Sequence, residues 1–208
     1  MDIRITAQNL FEGARASHDW DHTIRVHRLC EYIGSIEHAD MDVLHAASFL
    51  HDIGRSHQDA SRGTVCHAVH GALLAEPIVQ SLLLSSAQKE NILHCIRTHR
   101  FRGIHIPETL EAKILFDADK LDAIGAIGIA RAYMFAGEIG ARLHNTDTPI
   151  EDTLSYSEND TGFREYRVKL CKIKDRMLTP EGKRLALARH QFMTEFFNQF
   201  LFEYQGEK

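Results

Sequence analysis

His22, the adjacent pair His51 and Asp52, and Asp119 are the residues of this chain whose types combine most readily into chemistry. Two imidazoles and two carboxylates form a mixed nitrogen and oxygen donor set, suited to a borderline or hard divalent cation and to activating water bound to it. If the four converge, metal-dependent hydrolysis is the expected activity. The His-Asp dipeptide alone carries little weight. With 14 His and 14 Asp among 208 residues, about one such pair arises by chance, and the chain has both His18-Asp19 and His51-Asp52. The weight has to come from the elements that position these residues.

The apolar periodicity is helical almost throughout. From roughly residue 19 to 36, His22, Val26, Leu29 and Ile33 recur on one helix face, so His22 shares the face that looks inward. A helix over about 42 to 53 places Leu44, Ala47 and His51 on one stripe, with Gly54 expected as a left-handed cap. Neighbouring helical residues point about 100° apart, so His51 and Asp52 can share an ion most readily at the loosened end that Gly54 would supply. A third helix is expected over about 65 to 84. A fourth follows Ser85 and Ser86, where Ser85 and Gln88 have capping-box spacing and Ile92, Ile96 and His99 share a face.

A fifth helix is expected to open near Pro107 and Glu108. On it, Ala112, Leu115, Asp119 and Asp122 form one stripe, and Leu110, Ile114, Asp117 and Leu121 another just as regular. Spacing does not choose which aspartate points inward. The small-residue apolar run after Leu121 reads as a buried central helix, and residues 137–162 as a long irregular loop of the kind that forms a lid or a disordered connection. Beyond it, Phe163, Tyr166, Leu170, Ile173 and Met177 share a stripe. Thr179-Pro180 then opens a long last helix with Leu185, Phe192, Phe196 and Phe200 toward the core. With no hairpin signal and no internal repeat, the expected fold class is all-α, a compact multi-helix bundle.

At 208 residues and 44% hydrophobic, the chain can bury a substantial core, and one domain over 1–208 is the default. The net charge of -5, with both signs interspersed, argues against an electrostatic grip on a nucleic-acid duplex and favours a small substrate. Cys30, Cys66, Cys95 and Cys171 lie far apart without a CxxC pair, which points to reduced, mostly buried thiols and a cytoplasmic protein. The first residues lack a basic and then apolar leader, and Arg131 interrupts the most apolar stretch, so neither export nor a membrane role is expected.

Three segments carry a family resemblance: Asp21-His22-Thr-Ile-Arg25-Val26, Phe49-Leu-His51-Asp52-Ile-Gly54, and Asp117-Ala-Asp119-Lys120-Leu121-Asp122-Ala123. They resemble the HD superfamily of metal-dependent phosphohydrolases. The Ile-Gly-Ile-Ala-Arg-Ala helix and the ending Thr-Pro-Glu-Gly-Lys with Arg189-His190-Gln-Phe-Met resemble a single-domain bacterial-type subgroup, so the likeness runs over nearly the whole chain. It implies a helical bundle in which His22, His51, Asp52 and Asp119 bind one divalent metal, chosen over Asp117 by the resemblance alone. Mn, Mg, Fe, Co, Ni and Zn are not distinguishable. The implied reaction is hydrolysis of a phosphoester or phosphoanhydride in a small phosphorylated metabolite, with nucleotides as the leading class.

Further residues follow from the same likeness. His67-Ala68-Val-His70-Gly71 resembles a segment that supplies a second-metal ligand in some HD families, and His99 stands where those families often carry another. The role taken for His67 and His99 is lining the substrate pocket, with a second metal as the alternative. Arg55 could grip a phosphate bidentately but leaves no carboxylate there as general base, and Lys120 could contact phosphate or face solvent. Asp122 would support a ligand or form a local salt bridge. His18 and Arg25 are candidate substrate contacts, Arg25 equally a structural salt bridge. The basic run from Arg164 to Arg176 reads as a solvated face, and Trp20 and the C-terminal phenylalanines as core. Two other classes fit parts of the pattern. One is a nucleotide-binding regulatory module with vestigial hydrolysis; the other is an HD-fold di-iron oxygenase, which needs His67 and His99 as ligands.

Overall fold

The apolar period of the sequence is realised as helix, and among the residues described there is no strand. The structure is a computed structural model and describes residues 2–10, 20–61, 64–100, 105–145 and 148–207, so His18 lies outside it. Its α-helices are α1 (Ile3–Leu10), α2 (Trp20–Glu37), α3 (Met41–Leu50), α4 (Arg55–Ala60), α5 (His67–Gln80), α6 (Ser86–Thr98), α7 (Leu110–Leu121), α8 (Gly125–Glu138), α9 (Gly162–Val168) and α10 (Pro180–Gln205). No helix among the described residues is long and apolar enough to cross a membrane. The backbone groups into two compact units, residues 1–119 and 120–208.

In the first unit α3 packs on α2 and α6, α5 on α6, and α4 on α5. Val26, Ile33, Leu44, Phe49, Leu50, Ile92 and Ile96 are buried there. Side chains start these helices. Asp40 accepts from the backbone N–H groups of Asp42 and Val43 at the head of α3, and the Ser85–Gln88 capping box forms at the head of α6. α7 begins at Leu110 rather than near Pro107, because Thr109 Oγ1 accepts from Ala112 N at 3.2 Å and caps the helix there. The buried Glu111 carboxylate then accepts from Asp40 N and Asn91 Nδ2, both at 2.9 Å, tying α7 to α3 and α6.

Gly54 departs from expectation. Positive φ among the described glycines occurs at Gly125, Gly140 and Gly206, so Gly54 is no left-handed cap. α3 ends at Leu50, and residues 51–54 run on as turns into α4, with Arg55 N donating to Asp52 O at 2.9 Å. Glycine is needed at 54 for closeness instead: a Cβ there would strike the His67 carbonyl oxygen and lie 2.7 Å from Gly71 N. The turn carrying His51 and Asp52 therefore rests directly on the backbone of α5.

In the second unit α8 and α9 pack together, and α10 packs on α8 and on a 3₁₀ helix over Leu170–Arg176. α8 is not buried all round. Gly128, Ile129, Ala132 and Ala136 face in while Ile127 and Met134 are exposed, since small residues on one face suffice for close packing. The described part of the long loop is held by hydrogen bonds rather than loose: Asn145 Nδ2 donates to Asn159 O at 2.7 Å, Thr161 to Asn145, and Arg164 to Thr153 and Asp160. Phe163, Tyr166, Leu170, Ile173 and Met177 are all buried, although α9 gives way to 3₁₀ between Tyr166 and Leu170. Thr179 caps α10 with Pro180 in its first turn, as expected. Its core line, however, is Gly182, Ala186, Met193 and Phe197. Leu185, Phe196 and Phe200 flank that line half-buried, and Phe192 is exposed, because the small Gly182 and Ala186 define the face of closest approach.

Candidate metal centre

Five segments of the first unit send polar side chains inward to one place: α2 with His22, the turn after α3 with His51 and Asp52, the first residue of α5 with His67, the end of α6 with His99, and the last turn of α7 with Asp119. His22, His51, Asp52, His67 and His99 are all at most 2% exposed. Asp52 is the hub. Its Oδ2 lies 3.8 Å from His22 Nε2 and 3.9 Å from His51 Nε2, while its Oδ1 lies 3.0 Å from His67 Nε2 and 3.5 Å from His99 Nε2. Asp119 joins through Oδ1, 3.4 Å from His22 Nε2, with its side chain 18% exposed. Asp117 is wholly buried.

The donor set fits a divalent cation. Atoms each about 2.0–2.2 Å from one ion sit roughly 3–4 Å apart, which is the spacing seen here. His51 Nδ1 donates to the Ser48 carbonyl at 2.7 Å, so in the neutral ring the lone pair is on Nε2, and that buried atom has no hydrogen-bond partner among the described residues. Two groups of ligand atoms are each close enough to surround an ion: His22, His51 and Asp52, and Asp52, His67 and His99. Asp52 belongs to both.

Electrostatics keep these groups in ligand form. Burial pushes the His51 imidazole down to about 4, against the opposing pull of Asp52. His67 is likewise pushed down to about 4, first by burial, with the Asp52 hydrogen bond opposing. For Asp52, burial favours the neutral acid, but the neighbouring His51, His67 and His99 side chains and the Arg55 guanidinium outweigh it and hold the carboxyl well below its usual range. Neutral imidazoles beside an ionised carboxylate are what a metal requires of its ligands.

The remaining predicted residues are placed as follows. Arg55 opens α4 with Nε 3.7 Å from Asp52 Oδ2 and Nη1 3.0 Å from His67 Nδ1. Arg25 is half-buried one turn beyond His22, and Lys120 is half-buried next to Asp119. Asp122 forms a local ion pair with Arg131 Nη1 at 2.7 Å. Two residues of this site were not found in the sequence. Gln58 Oε1 lies 2.9 Å from His67 Nδ1 and accepts from Arg100 Nη1 at 2.7 Å. A six-residue helix carries too little periodicity to reveal the first, and nothing about Arg100 beyond its place after His99 marks the second.

Comparison with known proteins gives consistent likenesses. The profile of the HD domain matches residues 19–124. The chain is 34% identical over 205 residues to the uncharacterised protein YpgQ of Bacillus subtilis (strain 168), covering 95% of this chain and 89% of YpgQ. The crystal structure of Bacillus subtilis YpgQ in complex with ADP is similar with a TM-score of 0.74 and 29% identity, over 99% of this chain and 98% of that one. An HD-superfamily hydrolase from Bacillus thuringiensis is similar with a TM-score of 0.76 and 27% identity, over 98% and 95% of the two chains. A predicted HD superfamily hydrolase from an uncultured Thermotogales bacterium has a TM-score of 0.71 and 27% identity, over 98% and 91%.

Proposed function

The chain belongs to the HD domain family, and from that premise we propose that it is a metal-dependent phosphohydrolase acting on a nucleotide. The observation that carries the reading is the meeting of His22, His51 and Asp52, with Asp119 at 3.4 Å from His22, around a buried His51 Nε2 that has no hydrogen-bond partner among the described residues. Similar structures of HD-superfamily hydrolases support hydrolysis. The ADP complex of YpgQ supports a nucleotide as substrate class. The match to YpgQ runs across both compact units, which supports one hydrolase domain over 1–208. The four free thiols support a cytoplasmic location.

In this reading His22, His51, Asp52 and Asp119 hold one divalent cation. A cation bound there supplies Lewis acidity toward water and toward a phosphoryl oxygen. The chain's own residues do the rest. The Ser48 carbonyl keeps the His51 proton on Nδ1 and the lone pair on Nε2. Asp52 remains ionised and spans the two histidine pairs. Arg55, a permanent cation beside Asp52, takes phosphate oxygens, and Lys120 is assigned the same task on its place next to Asp119. His18, Arg25, His67 and His99 complete the proposed substrate contacts.

One observation favours a second reading, a dinuclear centre: Asp52 Oδ1, His67 Nε2 and His99 Nε2 form their own close group. Two irons there would suit an oxygenase rather than a hydrolase. Elemental analysis separates the readings, with close to one divalent metal per chain expected from the first, two from the dinuclear centre, and two irons favouring oxidation. Incubation with a panel of nucleotides, phosphate and pyrophosphate assayed separately, identifies the bond cleaved. Silence across the panel would move the assignment to a nucleotide-binding regulator.

A further inference from the structure

His67 Nδ1 lies between two groups that make opposite demands of it. Arg55 Nη1, 3.0 Å away, can only donate a hydrogen bond; Gln58 Oε1, 2.9 Å away, can only accept one. The atom of Gln58 facing His67 is oxygen because Arg100 Nη1, itself only a donor, lies 2.7 Å from it. A neutral imidazole satisfies one neighbour at a time. With the proton on Nε2, His67 accepts from Arg55 and donates to Asp52 Oδ1 at 3.0 Å. With the proton on Nδ1, it donates to Gln58, and its Nε2 lone pair turns to Asp52 Oδ1 and to His99 Nε2 at 3.1 Å. With its Nδ1 donating to the Ile96 carbonyl at 2.7 Å, a His99 ring in ligand form carries its lone pair there as well. In that second tautomer two nitrogen lone pairs and a carboxylate oxygen meet with no proton between them. A cation makes such a meeting favourable.

We propose that Gln58, oriented by Arg100, is the positioning residue that turns His67 from a hydrogen-bond donor to Asp52 into a ligand for a second divalent cation, with Arg55 as its competitor. The change moves one proton from Nε2 to Nδ1 of the same ring, so no charge is gained or lost. The proposal rests on the dinuclear reading of the metal centre above and deepens it, with His67 and His99 as ligands in place of substrate contacts. It also gives Arg55 a task in the absence of substrate: release of His67 frees the guanidinium for a phosphate.

The test is a Zn²⁺ titration of the full chain, followed by calorimetry and by ¹⁵N NMR of the histidine rings at mildly alkaline pH. The wild type is expected to bind two zinc ions, with His67 passing from Nε2-protonated to Nδ1-protonated in the second step. Gln58→Met is expected to weaken the second step by about 10–100-fold and leave the first unchanged, and Gln58→Glu, which still accepts from Nδ1, to restore it. Equal second steps in wild type and Gln58→Met, or failure of Gln58→Glu to rescue, would overturn the proposal. So would a wild-type His67 that keeps its Nε2 proton at saturating zinc, an outcome that decides the matter even if Gln58→Met does not fold. No zinc bound at all would remove the metal-centre reading and this inference together.

Discussion

Asp117 and Asp119 stand two residues apart on α7, yet their surroundings predict opposite consequences of the same substitution. Asp119 is 18% exposed and faces His22, so Asp119→Ala is expected to leave the metal-free fold close to its original stability. Metal affinity should fall by at least the roughly 10–100-fold that loss of even a supporting group costs. Asp117 is wholly buried, so Asp117→Ala is expected to cost about 1–3 kcal/mol of stability while metal is retained. Urea unfolding and zinc binding of the two variants check the pair, and a reversed pattern would show that the wrong aspartate has been chosen. Titration offers a second check at this scale. Burial lowers His51 and His67 to about 4, below the ordinary 6.5, so between those values the unfolded chain binds more protons than the fold. Stability of the metal-free protein therefore falls as pH drops from 6.5 toward 4. The depressed Asp52 stabilises above its ordinary 3.8 and loses that contribution only at lower pH. In a chelator, the urea midpoint is expected to be lower at about pH 5 than at about pH 7. An unchanged midpoint would mean that the two histidines are not held neutral.

Among the elements, the turn between α3 and α4 bears most on the site, because it carries His51 and Asp52 and lies against α5 with no room for a side chain at Gly54. Gly54→Ala is expected to cost at least the roughly 1–3 kcal/mol of an overpacked contact, and to weaken metal binding by moving Asp52 away from His67. Thermal unfolding with and without zinc measures both effects, and wild-type behaviour in both would contradict the packing described. The same turn marks how far sequence reading reaches. His22 and His99 lie where periodicity placed them, since a helical period reports directly which face is buried. The Ser85–Gln88 box and the Thr179-Pro180 start were legible for a similar reason, being patterns of neighbours. Gly54 was expected as a cap because its contact with His67 and Gly71 joins residues remote in sequence and leaves no local trace. The choice of Asp119 over Asp117 was open to spacing because both stripes of α7 were regular, and it came from the family resemblance. α4, with Gln58, is too short for any period to show. On α10 the aromatic residues drew the expected face one position away from the Ala186, Met193 and Phe197 line.

At the scale of the whole molecule, every proposed ligand lies within residues 1–119, drawn from segments far apart in sequence. A cation that binds the fold and not the unfolded chain adds about 2.7 kcal/mol at one hundred times its dissociation constant, so chelation is expected to lower the melting temperature. Hydrogen exchange should slow on metal addition at α2, the turn after α3 and the end of α7, more than in α9 and α10. Uniform protection along the chain would place the cation elsewhere. We propose that these ligands serve hydrolysis of a nucleotide. This is tested most directly by phosphate and pyrophosphate release from nucleoside di- and triphosphates in Mn²⁺, in parallel with chelator and with Asp119→Ala. Release is expected to require Mn²⁺ and to be lost in the variant. Release that survives both chelator and Asp119→Ala, or none from any nucleotide by a metal-loaded wild type, would contradict it.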